Sequence, residues 1–569
     1  MSTCATTVVA PAIELSEIRN KPAVSSAPLH RLSHDAAAGS QQSSDPTTAR
    51  EIPSPVVPTD RIFDAEPSPI SQTSRFLIIS LVVILNIVQV RGTCSGRFMS
   101  AITTVVGGLA FSAALGHEVK PGRANWMGAS YSLTQGAFVF ISGRLGEIYG
   151  HQRLVLVGSA IFTLFSLVNG FAKTYESFVA IRALTGIGGG IFMPNAVAIV
   201  TTMVPPGRTR NIALGFFAAA PPIGGVLGGV LVGVFIDLAP WVWLFVSTAI
   251  ISAILTAWLA YLVPPEHPVD RSGKIDYIGA ALGVSSLVLF NVVWNQAPAV
   301  GWYTPYEIAL LIVSVLLFAG FLVWEDRFAK EPVMPLRLFS ASTFTALVFV
   351  VLLSYMSVGV FVWYSVSWQQ MLRHSSVLDC GIHFIPFGFG AVAAVGIAAW
   401  LIPRLAAQWI MAIGIVTILA ANLLIATMPV QQTYWAQLFP AILLSSFCPD
   451  FVYVAAQLIA SNSVGRRHQG VAGSLIGTLN LYGNSLGLGF AGTIETELTD
   501  GESPSQIVFG FRAAAYFGVA LAVASLILDL GFVRLPKDER EGWEEDEPLR
   551  DDQPTIVVHA SATAVERQI

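Results

Sequence analysis

Two ionisable side chains stand inside long apolar runs. Asp450 follows Pro449 within the segment 436–459, and Arg182 lies five residues into the segment 177–203. An ionised carboxylate at membrane depth is expensive, so such a group is retained for a purpose. Asp450 is therefore a candidate proton carrier, with a tie between two helices as the alternative. Gln457, seven residues on, falls on the same helical face and would continue a polar path. Arg182 is costly in the same way and is the other charged candidate; the alternative has its guanidinium snorkel to the outer interface. Gln135, Asn195, Asn480 and Asn484 add neutral amides at membrane depth. They are substrate-path candidates, and joining helices is the competing role. Asn291 and Asn295 repeat the one-turn spacing of Asn480 and Asn484 in a segment expected to lie away from the path.

A third constellation is 138-FVFISGRLGEIYGHQRLVLVG-158, where Gly143, Arg144, Glu147, Gly150 and Arg153 gather between two apolar runs. Gly143, Gly146 and Gly150 share one helical face, where missing side chains would admit a neighbouring helix. Glu147 beside that face could meet an arginine or the positive N-terminal end of another helix, latching two bundles together. A tight turn carrying ordinary loop charges is the plainer reading.

The chain of 569 residues that must position these groups is 54% hydrophobic and 12% charged, with mean hydropathy +0.65. A soluble domain carries about a quarter charged residues. Fourteen apolar segments are predicted to cross a bilayer as helices, near 76–91, 125–142, 153–171, 177–203, 212–236, 241–263, 277–296, 307–324, 344–366, 381–402, 409–427, 436–459, 471–492 and 507–532. In lipid only a helix satisfies its own backbone groups. Lys and Arg concentrate in alternate loops, including Arg144, Arg153, Arg208, Arg271, Arg404 and Arg466, which places both termini in the cytoplasm. The polar stretch VRGTCSGR near 90–97 precedes another apolar run from Phe98 to Leu115. A further crossing there would invert every later loop. That run is expected to continue the first helix or to lie as an outer amphipathic segment, and the stretch is either a genuine insert or a gene-model error.

Residues 1–74 and 534–569 read as solvated tails, the second acidic. Net charge of −5 gives no case for nucleic acid, and Cys4, Cys94, Cys380 and Cys448 lack metal or disulfide spacing. No cofactor or metal is expected. No nucleotide loop or nucleophile constellation is present, which speaks against an enzyme and against ATP as driving force.

The stretch GRLGEIYGHQ resembles the signature loop of the major facilitator superfamily, with Glu147 in place of its acid. The resemblance implies that this loop gates the inner face. Further on, 182-RALTGIGGG-190 resembles a second motif of that superfamily, and the resemblance implies a part for Arg182 in coupling protons to substrate. Likewise 221-PPIGGVLGG-229, which includes Gly224, resembles the motif of its antiporter branches; Pro221 and Pro222 bend the helix, and Gly225, Gly229 and Gly233, spaced i, i+4, i+8, give it a groove. The stretches 276–302 and 469–495 are similar to fungal fourteen-helix drug:proton antiporters of the aminotriazole-resistance-like efflux branch, which also holds proteins described as low-affinity ammonium transporters.

The resemblance implies an all-α membrane fold of two six-helix halves, 75–264 and 341–533, with an extra pair over 265–340 and substrate bound between the halves. It implies proton-coupled efflux of a small organic compound by alternating access, in a multi-pass protein of the cell membrane, with the vacuolar membrane as the alternative. The expected partners are a small molecule, protons and lipid, and the chain is expected to be monomeric. Import of ammonium or another small solute is the alternative function, and a nutrient receptor is the third.

Overall fold

Apolar runs of about twenty residues have one outlet in lipid, and the described residues are helical with no strand among them. The computed structural model describes residues 77–78, 80–82, 104, 106–116, 124–203, 208–263, 273–340, 342–463, 469–499 and 503–534, with the side chains of 201–203, 208–222, 340, 342 and 469 outside that set.

The helices are α1 (Gly108–Ala114), α2 (Trp126–Tyr149), α3 (His151–Asn169), α4 (Tyr175–Met203), α5 (Arg208–Leu238), α6 (Val242–Leu262), α7 (Tyr277–Val300) and α8 (Pro305–Arg327). After a 3-10 turn over Leu336–Ser340 come α9 (Ser342–Ser367), α10 in two pieces (Val377–His383 and Ile385–Leu401) and α11 (Ala407–Thr427). The set closes with α12, also in two pieces (Leu438–Ser445 and Phe447–Asn462), α13 (Gln469–Leu498) and α14 (Pro504–Phe532). From α2 onward the order matches the expected segments. Among the described residues, ten helices are long and apolar enough to cross a membrane. The helices α2 and α13 have the length, but Ser, Thr, Gly and Asn dilute their apolar character. Both are seam helices, packed against each other across the middle of the bundle.

In the described part of the run that ends at Leu115, Gly108, Leu109 and Phe111 of α1 are buried while Ala113 and Ala114 are exposed. Phe111 packs on Phe178, Trp241 and Phe245, with ring centroids 5.5, 5.6 and 5.9 Å away. Ile78, Leu81 and Val82 are buried too, in a cluster with Val155, Val200 and Val263. The two pieces therefore pack at opposite ends of α6, beside Trp241 and beside Val263. VRGTCSGR and both tails lie outside the described residues.

Helices α2, α3, α4 and α6 pack on one another, as do α9, α11, α12 and α14. The pairs α2–α13 and α5–α10 join the two groups. Helix α7 straps this seam. Asn295 Nδ2 donates to Asn291 Oδ1 (2.6 Å) and to the Ser485 carbonyl of α13 (3.2 Å), while Ser485 Oγ donates to the Ala129 carbonyl of α2 (3.2 Å). Trp294 stacks on Phe490 at 3.6 Å. Asn291 and Asn295 thus join helices, as one of their two expected roles has it.

Candidate functional site

The turn that joins α2 to α3 is a single residue, Gly150, at φ 95°. The left-handed region suits glycine there. Helix α2 runs on past the apolar limit at Ser142, so Gly143, Arg144 and Glu147 are helical and not part of a loop. Their three glycines do not form one packing face. A β-carbon on Gly143 would meet nothing within 4 Å, whereas one on Gly146 would collide with Asn195 and His151. Asn195 is wholly buried and donates from Nδ2 to Ser142 Oγ (2.9 Å) and the Ile191 carbonyl (2.7 Å). Its Oδ1 lies 2.8 Å from His151 Nδ1, so the hydrogen-bond network assigns the proton to that nitrogen. Asn195 is a fastener between α2, α3 and α4.

Arg144 Nη1 pairs with Glu147 Oε2 at 2.8 Å and its Nη2 with Glu331 Oε2 at 3.0 Å. Glu331, in the connector after α8, also accepts from the Lys274 backbone (3.0 Å). The arginine partner expected for Glu147 is thus its own neighbour. Glu147 Oε1 also stands 3.7 Å from where a β-carbon on Gly470 would sit, beside the start of α13. Arg153 is exposed.

Between the two helix groups lies a cavity of about 630 Å³, the size of a drug-binding site. Its walls come from the ends of α2, α4, α12 and α13 near the Gly150 turn, here termed the inner end, and from Tyr355 of α9 and Phe387 of α10. Arg144 and Glu147 form its rim, with side chains 33% and 41% exposed. Asp450, Gln457 and Asn480 line it; Gln135, Arg182, Asn195 and Asn484 are not among its described walls. At the other end the groups touch: a β-carbon on Gly381 of α10 would run into the Gly229 carbonyl of α5, and one on Gly233 would lie 2.7 Å from the Leu378 nitrogen. Gly224, Gly225 and Gly229 are buried, and Pro221 and Pro222 sit within the continuous α5, their side chains outside the described set. Among the described residues, the cavity has its charged rim at the inner end and the groups meet at the other.

Asp450 lies in the first turn after Ser446, the single residue, itself in helical conformation, that divides the two pieces of α12. The Pro449 carbonyl beside it accepts from the Tyr355 hydroxyl at 2.6 Å. Asp450 is half-buried, and among the described residues no hydrogen bond or ion pair meets its carboxylate. Gln457 donates from Nε2 to the Gly473 carbonyl (3.2 Å), and Asn480, 4% exposed, has no described partner for Oδ1.

Arg182 does not snorkel. It is 3% exposed, with its guanidinium 5.0 Å from the centroid of the Tyr131 ring on α2. Glycines of the same stretch bring the helices together: Gly186 and Gly190 abut the Gln135 backbone of α2, and Gly188 abuts Gly158 and Phe162 of α3. Gln135 itself is wholly buried and neither amide atom has a described partner. Asn484 donates to the Asn480 carbonyl (3.0 Å). At the outer end Arg373 donates to the Val430 carbonyl (3.1 Å), and burial lowers its pKa. Burial pushes Tyr434, stacked on His383 at 4.2 Å, up to about 12.

The aromatic walls Phe140, Tyr355, Phe387 and Tyr453 carried no signal in the sequence beyond their type. Of the aromatics away from the cavity wall, Tyr131 lies under Arg182, Tyr482 donates to the Leu287 carbonyl (3.1 Å) and Trp363 packs near Gly108.

Residues 93–488 match the profile of the Major Facilitator Superfamily. Relatives include the low affinity ammonium transporter of Saccharomyces cerevisiae, 35% identical over 70% of this chain and 79% of its own length. Efflux pump terJ of Aspergillus terreus is 33% identical over 72% of this chain and 80% of its own. The aminotriazole resistance protein of Saccharomyces cerevisiae is 32% identical over 70% and 74%. In fold the chain resembles a bacterial homolog of the human lysosomal transporter Spinster, with TM-score 0.54 and 14% identity over 81% of this chain and 98% of that one.

Proposed function

The chain belongs to the Major Facilitator Superfamily, and on that footing we propose that it exports small organic compounds in exchange for protons by alternating access. It is a multi-pass membrane protein whose relatives are transporters, several of them named efflux pumps. The observation that carries the reading is Asp450, a carboxylate without a described partner on the wall of the inward cavity. Closing the cavity around a bare charge is costly, so the carrier switches readily only when that charge is neutralised. A proton taken up outside and released inside would do so. Arg182, held over Tyr131, would link the state of α2 and α4 to that switch, and the Arg144–Glu147–Glu331 cluster would brace the inner gate.

In this reading fourteen helices cross the plasma membrane of a monomer, with both tails in the cytoplasm. The halves are 75–264 and 341–533, and 265–340 forms the extra pair. Inside-out vesicles containing the protein test it: an acid interior should drive uptake of an exported dye, and uptake indifferent to the pH gradient would oppose the reading.

The second reading, low-affinity import of ammonium, rests on the relative of that name. Growth on limiting ammonium with and without the gene separates the two.

A further inference from the structure

We infer that Ser485 of α13 is a toggle between α2 and α7: its hydroxyl proton bonds the Ala129 carbonyl of α2 while the outer ends of the groups meet, and passes to Asn291 of α7 when they part. Ser485 and Asn291 are not among the cavity's described walls, so they act as positioning residues for the seam. The inference rests on the alternating-access reading above, whatever the cargo or driving ion, and gives the extra pair a task in it.

Three helices meet at Ser485. Its Oγ lies 3.2 Å from the Ala129 carbonyl and 2.8 Å from Asn291 Oδ1. A serine hydroxyl has one proton, so it donates to one of these at a time. Either acceptor can do without it. The Ala129 carbonyl lies within α2, where the helix ladder already engages it, and Asn291 Oδ1 also accepts from Asn295 Nδ2 at 2.6 Å. The hydroxyl is less forgiving, because Ser485 is 1% exposed and a buried donor left without an acceptor is costly.

Packing decides which acceptor stays. Helix α7 is pinned to α13 on both sides of Ser485: Trp294 stacks on Phe490 at 3.6 Å, and the Tyr482 hydroxyl donates to the Leu287 carbonyl at 3.1 Å. Gly489 lies so near the Trp294 backbone that a β-carbon there would stand 2.7 Å from it. The polar ties of α7 to α2 instead join side-chain tips, Trp126 Nε1 to Gln296 Oε1 at 2.7 Å and the Tyr149 and Tyr277 hydroxyls at 3.0 Å. Contacts between tips exchange more readily than packed backbone. When α2 withdraws from α13, Asn291 therefore remains beside Ser485 and takes the proton, and the seam parts without orphaning a buried hydroxyl. The amide pair has slack for this. Asn291 Nδ2 and Asn295 Oδ1 are buried without described partners, so a donor and an acceptor stand unspent in this arrangement.

The test uses the full-length protein in lipid nanodiscs, with Cys4→Ser, Cys94→Ser and Cys448→Ala leaving Cys380 to report opening of the outer end to a hydrophilic maleimide. Ser485→Ala loses a bond made only while that end is closed, so Cys380 should label about fivefold faster than in the parent. Asn291→Leu denies the opened state its acceptor and should label about fivefold more slowly. With both changes the hydroxyl that needed an acceptor is gone, and labelling should match Ser485→Ala. A merely structural role would not give opposite shifts that resolve in this way. Shifts of one sign, no shift in either variant, or a double variant midway between the two overturns the inference. Should Asn291→Leu fail to fold, Ser485→Thr decides: it keeps the hydroxyl and should label as the parent does, and equal rates for Ser485→Ala and Ser485→Thr overturn the inference. Gly381→Val, which wedges the outer seam, separates this inference from the reading beneath it. Cys380 unlabelled even in that variant removes alternating access and the toggle together. Faster labelling of Gly381→Val with no response to Ser485 or Asn291 removes the toggle alone, and opposite shifts without export of any compound from cells remove the export reading and leave the toggle.

Discussion

Gly381 of α10 rests on the backbone of Gly229 in α5, so close that no β-carbon fits between them. One turn along, Gly233 meets Leu378 in the same way. This seam closes the outer end, and it can be wedged. Gly381→Val should cost the closed seam about 1–3 kcal/mol, moving the population toward an outward-open state by about 5–150-fold. Cys380, wholly buried beside the seam, reports the change. In a background carrying Cys4→Ser, Cys94→Ser and Cys448→Ala, an impermeant maleimide should label Cys380 faster from outside once the seam is wedged. An unchanged rate would place the gate elsewhere.

Two glycines of one motif should respond differently. Gly143→Ala points into open space and should leave thermal stability within about 0.5 kcal/mol. Gly146→Ala forces Asn195 and His151 apart, and overpacking of this kind costs about 1–3 kcal/mol. Melting temperatures of the purified variants check the contrast; equal losses would contradict the assignment of Gly146 as the packing position.

That contrast shows how far the sequence could be read. Segment order was legible because a bilayer imposes length and apolarity. Where α2 ends was not, since hydropathy stops at Ser142 while the helix continues to Gly150 through the paired Arg144 and Glu147. Spacing puts Gly143 and Gly146 near one face but cannot say which side of that face a neighbour covers. The same limit applies to the amides: Asn480 reaches the cavity and Asn195 closes a helix junction, a difference set by tertiary packing. Glu331 left no trace, because a connector has no period to read. Asp450 stood out because charge inside an apolar run is rare for energetic reasons.

The contact between Arg144 and Glu331 is half-exposed and should be weak. A double-mutant cycle with Arg144→Gln and Glu331→Gln should give a coupling of about 0.2–1 kcal/mol that shrinks in high salt. A coupling above that range, insensitive to salt, would mean that the connector after α8 is a rigid part of the inner gate.

Arg182 is buried over the Tyr131 ring. Tyr131→Phe keeps the ring and should transport nearly as the unaltered protein does, whereas Tyr131→Leu should lose about 2 kcal/mol of the arrangement. Arg182→Lys should fall with it, since an ammonium lacks the planar stacking surface. Transport rates at matched expression decide, and full activity of Arg182→Lys would remove the guanidinium from the coupling route.

The most direct measurement is gradient-driven uptake by inside-out proteoliposomes, with Asp450→Asn beside the unaltered protein and a cationic dye as cargo. The account predicts that an acid interior accelerates uptake by the unaltered protein, and that Asp450→Asn, folded and reconstituted equally, shows none of this acceleration. Acceleration of equal size in both, or uptake by the unaltered protein at one rate whatever the gradient, would contradict it.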